Sequence, residues 1–169
     1  MTRSADRNNR KPGLQYCKLN QRHQALSQNS MITMKVDGGC HCGELAYEAH
    51  IDPQDVGLCH CIDCQILSGA AFRTVVRVAA DRFKLLRGTP KTYVKIGGSG
   101  QPRMMAFCAN CGTQLYGTGK GELAKVLSLR IGTCHQRAEL APVRQIWRRS
   151  AVKWLDELGI ADSHQLGGD

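Results

Sequence analysis

The sequence predicts a mainly β domain of short antiparallel strands with one short C-terminal helix. Residues 45–51 alternate apolar side chains with polar or small ones, which is typical of a half-buried strand. Further short β-rich segments follow, separated by turn residues such as those at 87–90. A helical pattern occurs only near residues 150–158, where Gly159 can end it.

The later strands are predicted in order along the chain. They cover residues 72–78, 83–86, 92–96, 103–107, 114–116 and 126–131. Residues 97–100, Gly-Gly-Ser-Gly, form a flexible turn between two of them. This turn lacks the strand–loop–helix setting and the lysine of a phosphate-binding loop, so no nucleotide site is predicted there.

The chain divides into one domain and two terminal segments. Its 169 residues suffice for a single domain with a substantial core. We place a β domain at residues 34–160 and a flexible tail at 161–169. Residues 1–33 are rich in Asn, Gln, Arg and Ser with almost no apolar periodicity, which predicts a disordered basic extension.

The charge of the chain lies mostly in that extension. Residues 1–33 hold six Lys or Arg against one acid, whereas residues 34–169 hold seventeen against thirteen. The net charge of +9 is therefore weak support for a nucleic-acid partner of the domain, and we expect none. No apolar run approaches the ~18 residues of a membrane span, so we expect no membrane partner. The N-terminus has no secretory apolar region, and we expect a cytoplasmic protein.

Seven of the nine cysteines fall into three tight clusters. A C-x-C pair is formed by Cys40 and Cys42, a C-x-C-x-x-C triplet by Cys59, Cys61 and Cys64, and a C-x-x-C pair by Cys108 and Cys111. The cytosol keeps thiols reduced, so clusters of this kind predict metal binding rather than disulfides. Such short spacings let a turn aim two or three thiolates at one point.

Counting ligands favours two zinc sites of different kinds. The two pairs together make a closed tetrahedral site of four sulfurs. The triplet then has three ligands and an open position, which is the arrangement of catalytic zinc. The alternative is that a further residue closes the second site, and the candidates are Cys17, Cys134, His41 and His60.

The residues around these cysteines resemble a known family. The matching stretches are Gly39 to Gly43, Leu58 to Cys64 with Ser68-Gly69, and Phe107 to Thr113, followed by Leu115-Tyr116, Ile131-Gly132-Thr133 and Ile146-Trp147. Together they resemble the glutathione-dependent formaldehyde-activating enzyme family, which also includes centromere protein V. The resemblance covers roughly residues 35 to 158.

The resemblance implies a fold, two zinc ions and an activity. It implies a β-tent fold with a structural zinc on Cys40, Cys42, Cys108 and Cys111 and a catalytic zinc on Cys59, Cys61 and Cys64. The implied activity is that of a carbon–sulfur lyase that forms or breaks S-hydroxymethylglutathione, with glutathione or a similar thiol adduct as the partner molecule. One departure concerns the thiol substrate: Gln65 and Ile66 stand where relatives often carry basic residues.

Other candidate residues and functions stay open at this point. Arg73, Arg77 and Arg103 could contact a substrate carboxylate, although strand arginines usually face solvent. His41, His60 and His135 could each serve as an acid or a base, because histidine as a residue type suits that role near neutral pH, but no catalytic role is assigned to them. A non-catalytic zinc scaffold, associated with nucleic acid through the basic extension, is the main alternative to an enzyme. A redox or metal-buffering protein with reactive thiols is the other.

Overall fold

The strands form two sheets of unequal size. The computed structural model describes residues 33–97, 100–158 and 162–163. In the smaller sheet, β2 (Ala46–Ile51) lies between β1 (Met34–Gly39) and β5 (Phe83–Arg87). The strands of the larger sheet are β3 (Gly57–Cys59), β4 (Arg73–Ala79), β6 (Lys91–Ile96), β7 (Pro102–Phe107), β8 (Gln114–Gly119), β9 (Val126–Arg130), β10 (Arg144–Ile146) and β11 (Asp162–Ser163). Their order is β11-β10-β3-β4-β9-β8-β7-β6.

The pairing confirms the predicted fold class. Each strand pairs with its neighbours in antiparallel register, except that β10 runs parallel to both β3 and β11. The seven predicted strand segments correspond to β2 and β4–β9. The sequence prediction missed β1, β3, β10 and β11. Three of these have two or three residues, too few to show alternation, and β1 ends in two glycines.

A seven-residue α-helix, α1 (Ile62–Ser68), was not predicted from the sequence. Cys61 caps its N-terminus, because its Sγ accepts a hydrogen bond from the Cys64 N–H at 3.3 Å. Gly69 ends it in the left-handed conformation at φ 63°. Ile62 and Ile66 are 55% and 73% exposed, so the helix has no apolar buried stripe by which the sequence could reveal it. The one signal for this helix in the sequence was Gly69 after Ser68, since a glycine commonly follows the last residue of a helix.

The predicted C-terminal helix is present as a 3₁₀ helix at Lys153–Leu158. Leu155 is 1% exposed and anchors this helix to the domain. The predicted extension at 1–33 and tail at 161–169 lie outside the described residues, apart from residue 33 and the two residues of β11.

The hydrophobic core lies between the two sheets. Because side chains alternate along a strand, each face of the larger sheet has its own composition. One face is apolar and packs on the smaller sheet, with Val76, Val78, Leu127 and Leu129 against Val36, Tyr47, Ala49 and Ile51. The opposite face carries Cys59, Arg73 and Arg130, which the strand register places side by side. The chemistry therefore lies on the side of the sheet away from the core.

Among the described residues, no helix is long and apolar enough to cross a membrane.

Gly38 is required where β1 meets the segment before Cys134. A Cβ at this position would lie 2.1 Å from the Thr133 carbonyl oxygen and 2.7 Å from Tyr47 Oη. Gly38→Ala is expected to lower the free energy of unfolding by about 1–3 kcal/mol, because the backbone must shift to admit the methyl group. Urea denaturation measures this loss. Gly132→Ala is the control, since no heavy atom lies within 4 Å of its added Cβ. Equal midpoints for the two variants would contradict the expectation.

Candidate metal centres

The first cysteine cluster joins the two sheets. Cys40 and Cys42 lie in the loop between β1 and β2, and Cys108 and Cys111 lie in the loop between β7 and β8. All four Sγ atoms lie within 4.8 Å of one another. The Cys40–Cys42 and Cys42–Cys108 sulfurs are 3.5 and 3.7 Å apart. Four sulfurs at roughly 2.3 Å from one tetrahedral zinc would be separated by about 3.8 Å. The cluster therefore fits a zinc ion.

The loops are built to hold these sulfurs. Gly43 and Gly112 both have positive φ, near 79° and 74°, which lets each loop turn directly after its second cysteine. The Leu45 N–H donates to Cys40 Sγ at 3.2 Å. Thr113 connects the two loops, because its Oγ1 accepts from the His41 N–H at 3.1 Å and lies 3.2 Å from Cys111 Sγ. The predicted set of four ligands is thus brought together.

The second cluster is the triplet of Cys59, Cys61 and Cys64. Cys59 ends β3, Cys61 caps α1, and Cys64 lies in the first turn of α1. Their sulfurs all lie within 4.8 Å of one another, with Cys59 and Cys61 at 3.6 Å. The strand end and the helix start therefore converge on one point, and three soft thiolate donors at this spacing also fit zinc.

The three thiols share their protons unequally. Hydrogen bonds from Cys59 and Cys64 to the Cys61 sulfur lower the pKa of Cys61 to about 2. The same Cys61 contact, together with Cys64 and burial, raises the pKa of Cys59. Cys61, whose sulfur also receives the Cys64 N–H, is therefore the thiol of the triplet that loses its proton most readily. Metal ligation needs deprotonated sulfur, so Cys61 is prepared for it.

No fourth protein ligand completes the triplet among the residues that the structure describes. Cys134 is fully buried elsewhere, with its sulfur 3.2 Å from Tyr47 Oη. His60 is also fully buried, and its Nε2 is 2.8 Å from Gln145 Oε1. His41 and His60 join neither cluster. Cys17, the other candidate, lies outside the described residues.

The arginines suggested by the sequence have different positions. Arg77 forms an ion pair with Asp55 at 3.0 Å on the surface, which accounts for it as a structural residue. Arg103 is half-buried on β7. Arg73 is only 6% exposed, directly opposite Cys59 in the sheet. From the sequence, Arg73 was a candidate for a substrate carboxylate, although a solvent-facing position was favoured. The short strand β3 that brings Cys59 beside it was not predicted.

Arg130 was missed altogether. It is 7% exposed at the end of β9, on the same sheet face as Arg73. Burial, with the charge of Arg73 as a further contribution, lowers the pKa of Arg130 to about 10, so it remains a cation at neutral pH. Both arginines interact electrostatically with Cys59 and Cys64. The signal in the sequence was the position of Arg130 at the end of an otherwise mainly apolar strand segment, where a charged residue can be buried with the strand.

Gln65, the residue that departs from the basic pattern of relatives, has a structural role. Its Nε2 donates to the His60 carbonyl at 2.7 Å and to the Ser150 carbonyl at 2.8 Å. These bonds attach α1 to the C-terminal segment. The side chain is occupied by the fold, so positive charge near the triplet comes from the sheet and not from α1.

Comparison with known proteins agrees with this arrangement. The family model described as glutathione-dependent formaldehyde-activating enzyme (GFA) matches residues 35–150. The chain belongs to the GFA family. The matched range includes all seven clustered cysteines of this GFA protein, together with α1 and β2–β10.

Two further comparisons add little to the family match. A crystal structure of a Rhodobacter sphaeroides protein is 17% identical to this GFA protein over 57% of this chain and 85% of that one, with a TM-score of 0.46. No curated protein matches the chain.

Proposed function

We propose that this protein is a zinc-dependent carbon–sulfur lyase that acts on adducts between glutathione, or a similar thiol, and a small aldehyde. Formation or breakdown of S-hydroxymethylglutathione is the reaction that the family membership favours. The observation that carries the proposal is the triplet, with three convergent sulfurs and no fourth protein ligand among the described residues. Because its ligands are thiolates, we place the protein in a reducing compartment, the cytoplasm.

The proposed reaction needs no redox partner. In the direction of synthesis, the thiol sulfur adds to the carbonyl carbon and a carbon–sulfur bond forms. The carbonyl π pair moves onto the oxygen, which receives the proton lost by the thiol. Breakdown reverses each change. A zinc ion at the triplet would supply Lewis acidity, lowering the pKa of a bound thiol and stabilising charge on the carbonyl oxygen.

The residues of this chain would position the reactants. Cys59, Cys61 and Cys64 would hold a zinc ion, and the helix cap fixes the sulfur of Cys61. Arg73 and Arg130 keep the surroundings positive, which favours an anionic thiolate beside the small aldehyde. The four-cysteine cluster takes no part in the reaction and serves as a structural zinc site.

Turnover of S-hydroxymethylglutathione tests the proposal. Exchange between formaldehyde plus glutathione and the adduct is measured by NMR, with zinc-loaded protein and with the same protein after metal removal by chelator. We expect the zinc-loaded protein to accelerate exchange above the spontaneous rate, and the stripped protein to leave it unchanged. The spontaneous reaction is easy, so its rate is measured under identical conditions. Zinc-loaded protein that gives only the spontaneous rate, with this and other thiol adducts, sinks the lyase proposal.

A further inference from the structure

The larger sheet carries a basic face beside the triplet. Strand register places seven cations on the same face as Cys59, namely Arg73, Arg77, Lys91, Lys95, Arg103, Arg130 and Arg144. Lys95 contacts the Asp63 carboxylate of α1. Arg77 and Arg144 both pair with Asp55. Among the described residues, no carboxylate forms an ion pair with Arg73, Arg103 or Arg130.

The triplet alone does not balance this charge. Three thiolates around one divalent zinc ion have a formal charge of one negative unit. Of the cations on this face, only Arg73 and Arg130 are buried, so two buried cations face that single unit and one positive charge remains. Burying unmatched charge is costly, and proteins accept it mainly where a bound ion or ligand supplies the counter-charge. The basic face therefore calls for an anion beyond the cysteine sulfurs.

Two of the arginines are buried with donors unused. Arg73 and Arg130 are more than nine-tenths buried, yet Arg73 Nη1 and Arg130 Nε have no hydrogen-bond acceptor among the described residues. The Arg130 guanidinium also occupies space that a side chain would normally fill. A Cβ on Gly117 would lie only 2.9 Å from Arg130 Nη2. The sheet thus accommodates this guanidinium at the cost of a side chain on β8.

A cavity of about 450 Å³ is lined in part by both arginines. Its lining also includes Ser68, Thr113 and, from the four-cysteine cluster, Cys111, whereas no cysteine of the triplet lines it. Gln114 holds the end of α1 as one wall, because its Nε2 donates to the Leu67 carbonyl at 2.8 Å. Hydroxyl groups beside two buried cations make a surface suited to a carboxylate.

We propose that this cavity binds a carboxylate of the thiol substrate, held by the guanidinium groups of Arg73 and Arg130. The inference rests on the proposed function for the position of the sulfur at the triplet. Arg73 lines the cavity and lies directly opposite Cys59 in the sheet. The helix α1 carries Cys64 in its first turn and Ser68 of the cavity lining at its end. One substrate can therefore reach both places. The substrate class is then an acidic, peptide-like thiol adduct, and neutral thiols such as mercaptoethanol are excluded as good substrates.

Binding of S-methylglutathione to the zinc-loaded full chain tests the subsite without requiring turnover. The methylated sulfur forms no thiolate, so affinity reports mainly the rest of the molecule. Calorimetric titration compares it with two derivatives of S-methylglutathione. In one the glycine carboxylate is converted to an amide, and in the other the γ-glutamyl carboxylate is. We expect one amide to bind wild type about 10–100-fold more weakly than the acid, the loss typical of a charge-assisted contact.

Arg130→Met and Arg73→Met locate the effect. Each is expected to weaken the acid about tenfold or more and to leave the affected amide nearly unchanged. Arg77→Met is the matched control, because Arg77 lies on the same strand as Arg73 but pairs with Asp55. In turnover, both variants should raise KM more than they lower kcat, and Arg130→Lys should restore part of the affinity. Zinc content is measured for each variant.

Three outcomes would overturn the subsite. Wild type that binds acid and amides equally, or binds none of them, excludes it without reference to any variant. Arg130→Met that binds the acid within twofold of wild type excludes Arg130. In the third outcome, Arg73→Met and Arg130→Met both lose one zinc ion, while the molecules that keep two ions bind S-methylglutathione with wild-type affinity. That result shows instead that the arginines only neutralise the charge of the triplet. If the protein turns over no thiol adduct but still binds S-methylglutathione more tightly than its amides, the lyase proposal is wrong and the carboxylate subsite is supported.

Discussion

Cys61→Ser is expected to lose one of two zinc ions and to lower turnover of S-hydroxymethylglutathione by more than about 100-fold. Mutation of a residue that only hydrogen-bonds to a metal ligand typically lowers metal affinity or activity by about 10–100-fold. Loss of a ligand itself should therefore have a larger effect. Serine can still accept the Cys64 N–H and cap α1, which separates loss of the metal from loss of the helix. Metal analysis, circular dichroism and the NMR exchange assay measure the three quantities.

Cys134→Ser is the matched control for this variant. Cys134 is fully buried, whereas Cys61 is half-buried, but Cys134 belongs to neither cluster and contacts the Tyr47 hydroxyl. The Cys134→Ser variant should keep both zinc ions and most of the activity. The assignment of the triplet as the reaction site is wrong if Cys61→Ser retains two zinc ions, or if it loses one and turns over the adduct at the wild-type rate.

The ligand sets could be read from the sequence because they depend on local spacing. Cys40 and Cys42, like Cys108 and Cys111, are held by single loops, and a two-residue or three-residue step determines where both sulfurs point. Counting then pairs the two loops, and the structure brings their sulfurs together as expected. The strands with clear alternation, such as β2 and β4, were predictable for the same local reason.

The surroundings of the triplet depend on pairing between distant segments and could not be predicted in this way. Arg73 and Arg130 meet on one sheet face only because β4 pairs with β9, more than fifty residues later in the chain. A strand arginine with no visible partner looks the same in sequence whether it faces solvent or a cavity. The helix α1 escaped prediction because it exposes Ile62 and Ile66 and is stabilised by its caps rather than by an apolar face.

Cys108→Ser is expected to unfold the domain. Cys108 is fully buried, and its cluster connects the loop after β1 in the smaller sheet to the loop after β7 in the larger one. Structural zinc contributes on the order of 10 kcal/mol to folding, which is comparable with the whole stability of a domain, about 5–15 kcal/mol. The variant should show no cooperative thermal transition by circular dichroism, and the wild type should lose its transition when a strong chelator removes both metal ions.

Cys64→Ser separates the two clusters, because it removes a ligand from the triplet and leaves the connection between the sheets intact. It should bind one zinc ion, melt cooperatively and show little activity. Cys108→Ser should instead fail in all three measurements. The two clusters would have to exchange roles if Cys64→Ser proved to be the unfolded variant. A Cys108→Ser protein that melts within a few degrees of wild type would show that packing between the sheets, and not the four-cysteine cluster, holds the domain together.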